Sequence, residues 1–159
     1  MLRDDADFFS SRYEDAVQEP DAYWREWVAE AEAGDAKALF AAVDDNGAWL
    51  GVVGGFARVS PQEVQLISMW VAPEARGRRV ARALIREVAT WTAARGSETV
   101  FLFVQEANAP ARALYARAGF TPTGDRAPIG GGRRGFKLVL SAPAAHVLAT
   151  YDEPAGPDK

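Results

Sequence analysis

Five arginines, Arg76, Arg78, Arg79, Arg82 and Arg86, crowd around Gly77 in this 159-residue chain. Downstream, Val80, Leu84, Val88 and Trp91 recur at helical spacing, with Ile85 beside them. The arginines therefore mark the start of a helix. A helix start leaves backbone N–H groups without intrahelical partners, and the dipole adds partial positive charge there. Unpaired donors joined by guanidinium groups make a site for a phosphate or diphosphate. The competing reading is a solvated basic face. Arginine in a first turn opposes the helix dipole, which weighs against that reading, and Glu74 and Glu87 offset only part of the charge.

A second group follows. Asn108 and Tyr115 are seven residues apart, about two helical turns, so both project from one face of a helix. The chain has no cysteine and a single histidine, His146. Thiolate nucleophiles, disulfides and cysteine-metal sites are thereby excluded, and a His-rich metal centre or a Ser-His-Asp triad is not expected. His146 reads as structural or merely exposed.

The surrounding elements follow from periodicity. Residues 5–16 read as a first helix. Pro20 opens a second, to about Ala33, with Tyr23, Trp24, Trp27, Val28 and Ala31 on one face. That aromatic face serves a core or lines a pocket. Ala38 to Val43 reads as a strand, Asp44-Asp45-Asn46-Gly47 as a hairpin turn, and Trp49 to Val59 as the returning strand. Gly51, Gly54 and Gly55 mark a bulge in it, or a place where a ligand approaches. Glu63 to Val71 is the central strand, ended by Pro73, which has no N–H to donate. The arginine-led helix runs to about Ala94, and Thr99 to Val104 follows as a buried strand. Strand, helix, strand at this spacing predicts a parallel pair. Thr121 to Asp125 reads as a short return, 127–135 as a glycine-rich loop carrying Arg133 and Arg134, and Phe136 to Leu140 as a last strand.

Two of these stretches carry a resemblance. Arg76-Gly77-Arg78-Arg79-Val80-Ala81 is similar to the acetyl-CoA diphosphate loop of the GCN5-related N-acetyltransferase (GNAT) family, R/Q-x-x-G-x-G/A, with Arg79 standing at the middle glycine. Because arginine carries a Cβ, ordinary backbone angles are expected at Arg79. The run from Asn108 to Phe120 matches the family's N-x-x-A-x-x-L-Y-x-x-x-G-F signature at every fixed position. The resemblance spans about residues 20 to 140.

It implies an α/β fold: a mixed, mostly antiparallel sheet with a central splayed parallel pair, flanked by helices. It also implies acetyl-CoA as acyl donor. Met69, Trp70 and Val71 would pair with its pantetheine arm, and the Val71 N–H would polarise the thioester carbonyl. Arg76, Gly77, Arg78, Arg79, Val80, Ala81 and Arg82 would hold the diphosphate, and Asn108 and Arg112 the pantetheine or nucleotide arm. Tyr115 would protonate the departing thiolate, its alternative role being packing between helix and sheet. Glu63 and Gln65 are the candidates for a base, directly or through water, or are simply an exposed strand start. No residue type suggests a covalent intermediate, so a primary amine of a small molecule or peptide would attack directly in a ternary complex. The competing functions are transfer from another acyl-CoA and a non-catalytic acyl-CoA-binding regulatory module.

Composition agrees. A 48% hydrophobic and 25% charged chain is ordinary for a globular domain. We read residues 1–142 as one domain and 143–159 as a tail. A net charge of −4 argues against a general nucleic-acid binder. The acidic start, Asp4, Asp5 and Asp7, lacks the apolar run of a signal peptide, and no stretch reaches membrane-spanning length. The expectation is a cytoplasmic protein without bound metal. Nothing before Asp5 supplies the family's usual first strand. The run Val147 to Tyr151 is expected to cover a sheet edge, in this chain or in a second copy as a homodimer. Asp4, Asp5, Asp7, Glu14 and Asp15 would suit a cationic acceptor, whereas Arg133 and Arg134 would suit a carboxylate.

Overall fold

Six strands build the sheet, the inner ones rich in apolar residues. The computed structural model describes residues 18–33, 36–57, 60–130 and 133–152. The order along the chain is α1 (Asp21–Ala33), β1 (Lys37–Val43), β2 (Trp49–Ala57), β3 (Glu63–Val71), a 3₁₀ turn (Pro73–Ala75), α2 (Val80–Ala94), β4 (Thr99–Gln105), α3 (Ala109–Arg117), β5 (Thr121–Gly130), β6 (Arg133–Pro143) and α4 (Ala144–Asp152). The strands lie side by side as β1-β2-β3-β4-β6-β5. All neighbours are antiparallel except β3 and β4, as the intervening helix predicts.

On one face of the sheet, Val53, Val64, Val100, Leu102 and Leu140 are buried against Leu84, Ile85, Val88 and Ala89 of α2. Two glycines of β2 let that helix approach. A Cβ on Gly55 would lie 2.8 Å from the Trp91 ring, and one on Gly51 would lie 3.0 Å from Leu84. These positions serve helix-to-sheet packing, and ligand approach is not what they are for. The bulge expected in β2 falls instead on the facing strand. Ser68 and Met69 of β3 together oppose Val53, between the pairs Val52↔Trp70 and Gly54↔Ile67.

Three expectations are corrected at the C-terminal end. Residues 121–130 and 133–143 form one long hairpin, so the glycine-rich stretch is mostly strand. The run from Val147 to Tyr151 lies in helix α4, which buries Val147 in the core; it adds no strand to a sheet edge. Apolar residues three and four apart, Ala144, Val147, Leu148 and Tyr151, form a helical stripe that fits the α2 side of the sheet. The predicted helix 5–16 lies outside the described residues. Among the described residues β1 ends the sheet, with α1 packed on it: Lys37 pairs with Glu30 and lies 5.8 Å from the Trp27 ring.

Candidate active site

The parallel pair is short. Glu63↔Thr99, Val64↔Val100 and Gln65↔Phe101 are in register, and beyond them β3 and β4 part. The bulge at Ser68 explains the parting, because an extra residue bends a strand and increases its twist. Ser68 takes a left-handed φ of 53°, a conformation that is costly for a residue with a Cβ.

Val71 ends the freed segment. The next residue, Ala72, donates its N–H to Leu50 O of β2 at 2.9 Å. Successive residues of a strand turn their polar groups to opposite sides, so Val71 presents its N–H and C=O toward the opening. Arg76 confirms this, its Nε donating to Val71 O at 3.1 Å. Met69, two residues earlier, is turned the same way, with its side chain and that of Val71 packed on the core.

The corner between β3 and α2 is tightly wound. Arg76 N–H donates to Pro73 O and Arg78 N–H to Ala75 O. Gly77 has φ 80°, with open space where a side chain would be. Arg79 corrects the expectation of ordinary angles: at φ 64°, ψ 6° it is left-handed, and it is the N-cap residue of α2 without a side-chain cap. The loop thus keeps the conformation that glycine favours although arginine occupies it, at a cost of roughly 1–2 kcal/mol. Ala83 N–H reaches Arg79 O, so the helix begins there, with its first-turn N–H groups directed outward. Arg76, Arg78 and Arg79 are exposed around them; Val80 and Ala81 are half-buried.

Arg82 departs from the group. Its Nη2 donates to Thr150 O, and its guanidinium lies 4.6 Å from the Tyr151 ring, both on α4.

Helix α3 follows β4, the other strand of the parallel pair. Asn108 is its N-cap, with Oδ1 accepting from Ala111 N–H at 3.1 Å, and Pro110 sits in its first turn. Arg112 Nη1 donates to Glu106 O at 3.0 Å. Tyr115 is only 6% exposed, and its ring packs edge-on against Phe120 at 5.8 Å. Burial pushes its phenol well above the ordinary tyrosine range, so the hydroxyl is protonated throughout the physiological range.

The two β3 candidates for a base are not brought to this corner. Glu63 and Gln65 sit in the paired segment. At about 3.3 Å per residue they are roughly 26 and 20 Å from Val71 along the strand. Conversely, Ser68 and the α4 contacts are site-shaping features that residue patterns missed. The hint for Ser68 was one polar residue interrupting Leu66-Ile67-Ser68-Met69-Trp70-Val71. Among the described residues there is no cluster of His, Cys, Asp and Glu that could hold a metal, and no helix long and apolar enough to cross a membrane.

A mostly antiparallel sheet whose one parallel pair opens beside a glycine-turned helix start is the architecture of the GNAT acetyltransferases. The chain belongs to that acetyltransferase family: the family's model matches residues 1–120. Mycothiol acetyltransferase of Beutenbergia cavernae is 41% identical over 66 residues, 42% of this chain and 22% of that protein. Streptothricin acetyltransferase of Streptomyces lavendulae is 35% identical over 96 residues, 58% of this chain and 48% of that one. The chain thus spans about a fifth and about half of the length of these two relatives. Among solved structures, nourseothricin acetyltransferase superposes with a TM-score of 0.64 at 28% identity, over 69% of this chain and 66% of that one. Spermidine N-acetyltransferase from Vibrio cholerae, in complex with CoA and spermine, shares the fold with a TM-score of 0.67 at 19% identity, over 82% and 79% of the two chains.

Proposed function

We propose that this chain transfers an acetyl group from acetyl-CoA to a primary amine by direct attack. One observation carries the reading: β3 leaves β4 so that Val71 turns its N–H into the opening, next to the uncapped start of α2. The fit to acetyl-CoA is chemical. The outward N–H groups of the first turn, with Arg76, Arg78 and Arg79, suit a diphosphate, and the freed edge from Met69 to Val71 suits an amide-bearing arm. Asn108 and Arg112 flank that arm from α3.

In this arrangement the Val71 N–H donates to the thioester carbonyl and stabilises the oxyanion as the amine adds. A donor of this kind is worth roughly 3–4 kcal/mol in comparable sites. The amine then forms the new C–N bond, the C–S bond breaks, and the electron pair leaves on sulfur. Tyr115, neutral by burial, donates its phenolic hydrogen toward that sulfur. A thiol ionises near pKa 8.5, far below this phenol, so Tyr115 acts mainly by hydrogen bonding to the developing thiolate. The proton lost by the amine ends on the thiol. Water relays it from nitrogen to sulfur, and the neutral fraction of the acceptor sets the rate below the acceptor's own pKa.

Two relatives bear the names mycothiol acetyltransferase and streptothricin acetyltransferase, and small amines are the first acceptors to assay. The test pairs thermal melting with CoA and thiol release from acetyl-CoA across an amine panel. CoA raises the melting temperature by mass action, and at least one amine accelerates thiol release. A melting shift without release under any amine would favour a non-catalytic acyl-CoA-binding module.

A further inference from the structure

The geometry points to helix α4 as a clasp that holds the two halves of the donor site in register, with Arg82 as a positioning residue that does not itself contact phosphate. The inference rests on the acetyl-CoA reading above and assigns a role to the chain's last helix.

Thr150, in the last turn of α4, is the junction. Its carbonyl accepts from Arg82, three residues into α2 from the left-handed Arg79. Its methyl lies 3.4 Å from where Gly119 would carry a Cβ, and His146 Cδ2 lies 2.7 Å from that same point. Gly119, at φ 91°, ends the helix that carries Tyr115, and the Tyr115 carbonyl is closed by Phe120 N–H at 3.0 Å. One turn of α4 therefore touches the first turn of α2 and the glycine that follows α3.

The charges agree. Arg82 in the first turn of α2 is unfavourable for that helix alone. At the carbonyl end of α4 it meets the opposite dipole end, and Tyr151 adds its ring face. The other end of α4 is fixed too, because Ala144 N–H donates to Glu98 O at 2.8 Å and Val147 is fully buried.

The test compares Arg82→Ala, Tyr151→Leu and the double variant in the full-length protein, each checked for an intact fold by melting. The clasp predicts that each single variant raises KM for acetyl-CoA about tenfold with kcat little changed. The double variant then does no more than either alone, because both break one unit. Arg82→Lys, which keeps the charge and stem, is the milder variant should Arg82→Ala fold poorly, and gives a smaller rise in KM. The inference is overturned if Tyr151→Leu leaves KM unchanged or if the two effects multiply, since the residues would then not act as one unit. It is equally overturned if both variants lower the melting temperature with KM unmoved. Failure of the underlying reading looks different: the unaltered protein would then show neither a melting shift with CoA nor thiol release.

Discussion

The two ends of the β3–β4 pair use the same strands for opposite purposes. At one end, from Glu63 to Gln65, the strands are hydrogen-bonded and their apolar residues are sealed by α2. At the other, from Leu66 to Val71, β3 has left its partner, and the backbone has taken two left-handed non-glycine residues, Ser68 within β3 and Arg79 at the start of α2. Those are the only two such residues described. The closed end stores stability. The open end spends some of it on backbone strain to present main-chain donors, as functional sites commonly do.

Substitutions at the two ends therefore separate stability from activity. The largest effect on turnover is expected from Val71→Pro. It removes one N–H on the side away from β2, so the β2 ladder is intact, and kcat falls by about 10²–10³. Tyr115→Phe keeps the ring packing and removes the donated hydrogen. It should lower kcat by about 10²-fold with little change in affinity for acetyl-CoA, read by steady-state kinetics and equilibrium binding. Next to the closed end, Gly55→Val drives atoms against the Trp91 ring. It should destabilise by roughly 1–3 kcal/mol in denaturant melts, with turnover per folded molecule near that of the parent. Arg79→Gly relieves the left-handed strain and should stabilise by about 1 kcal/mol, less the extra chain entropy of glycine.

A smaller effect concerns alkaline pH. Burial raises Tyr115 above the ordinary range, and it pushes Tyr151 up to about 12 against the opposing charges of Arg82 and Arg86. Phenols raised in the folded state contribute stability that is full below the unfolded pKa near 10 and is lost as pH climbs past it. Melting temperature should fall from pH 10 upward, and less steeply in Tyr151→Phe.

Much of this was legible in the residues. The helix periodicity from Val80 to Trp91, the N-cap and glycine stop around Tyr115, and the strand–helix–strand spacing each fix their element by local chemistry. What was not legible depends on contacts distant in sequence. A short apolar run such as Val147 to Tyr151 suits strand or helix, and only docking on α2 decides. Arg82 has arginines as its neighbours in sequence, and the partners it takes in the fold lie 68 and 69 residues later. At Arg79 side-chain propensity predicted ordinary angles, whereas the corner's closure imposed the left-handed ones. Glu63 and Gln65 lie in the paired part of β3, the strand whose far end forms the site.

The central claim is that acyl-CoA lies in the opening with its thioester on the Val71 N–H. Amide hydrogen exchange, resolved by residue and measured with and without CoA and acetyl-CoA, tests it most directly. Acetyl-CoA should slow exchange at Val71 and leave the amides of Val64 and Gln65 unaffected. Slowing confined to the paired end, or spread evenly along β3 with no excess at Val71, would contradict it.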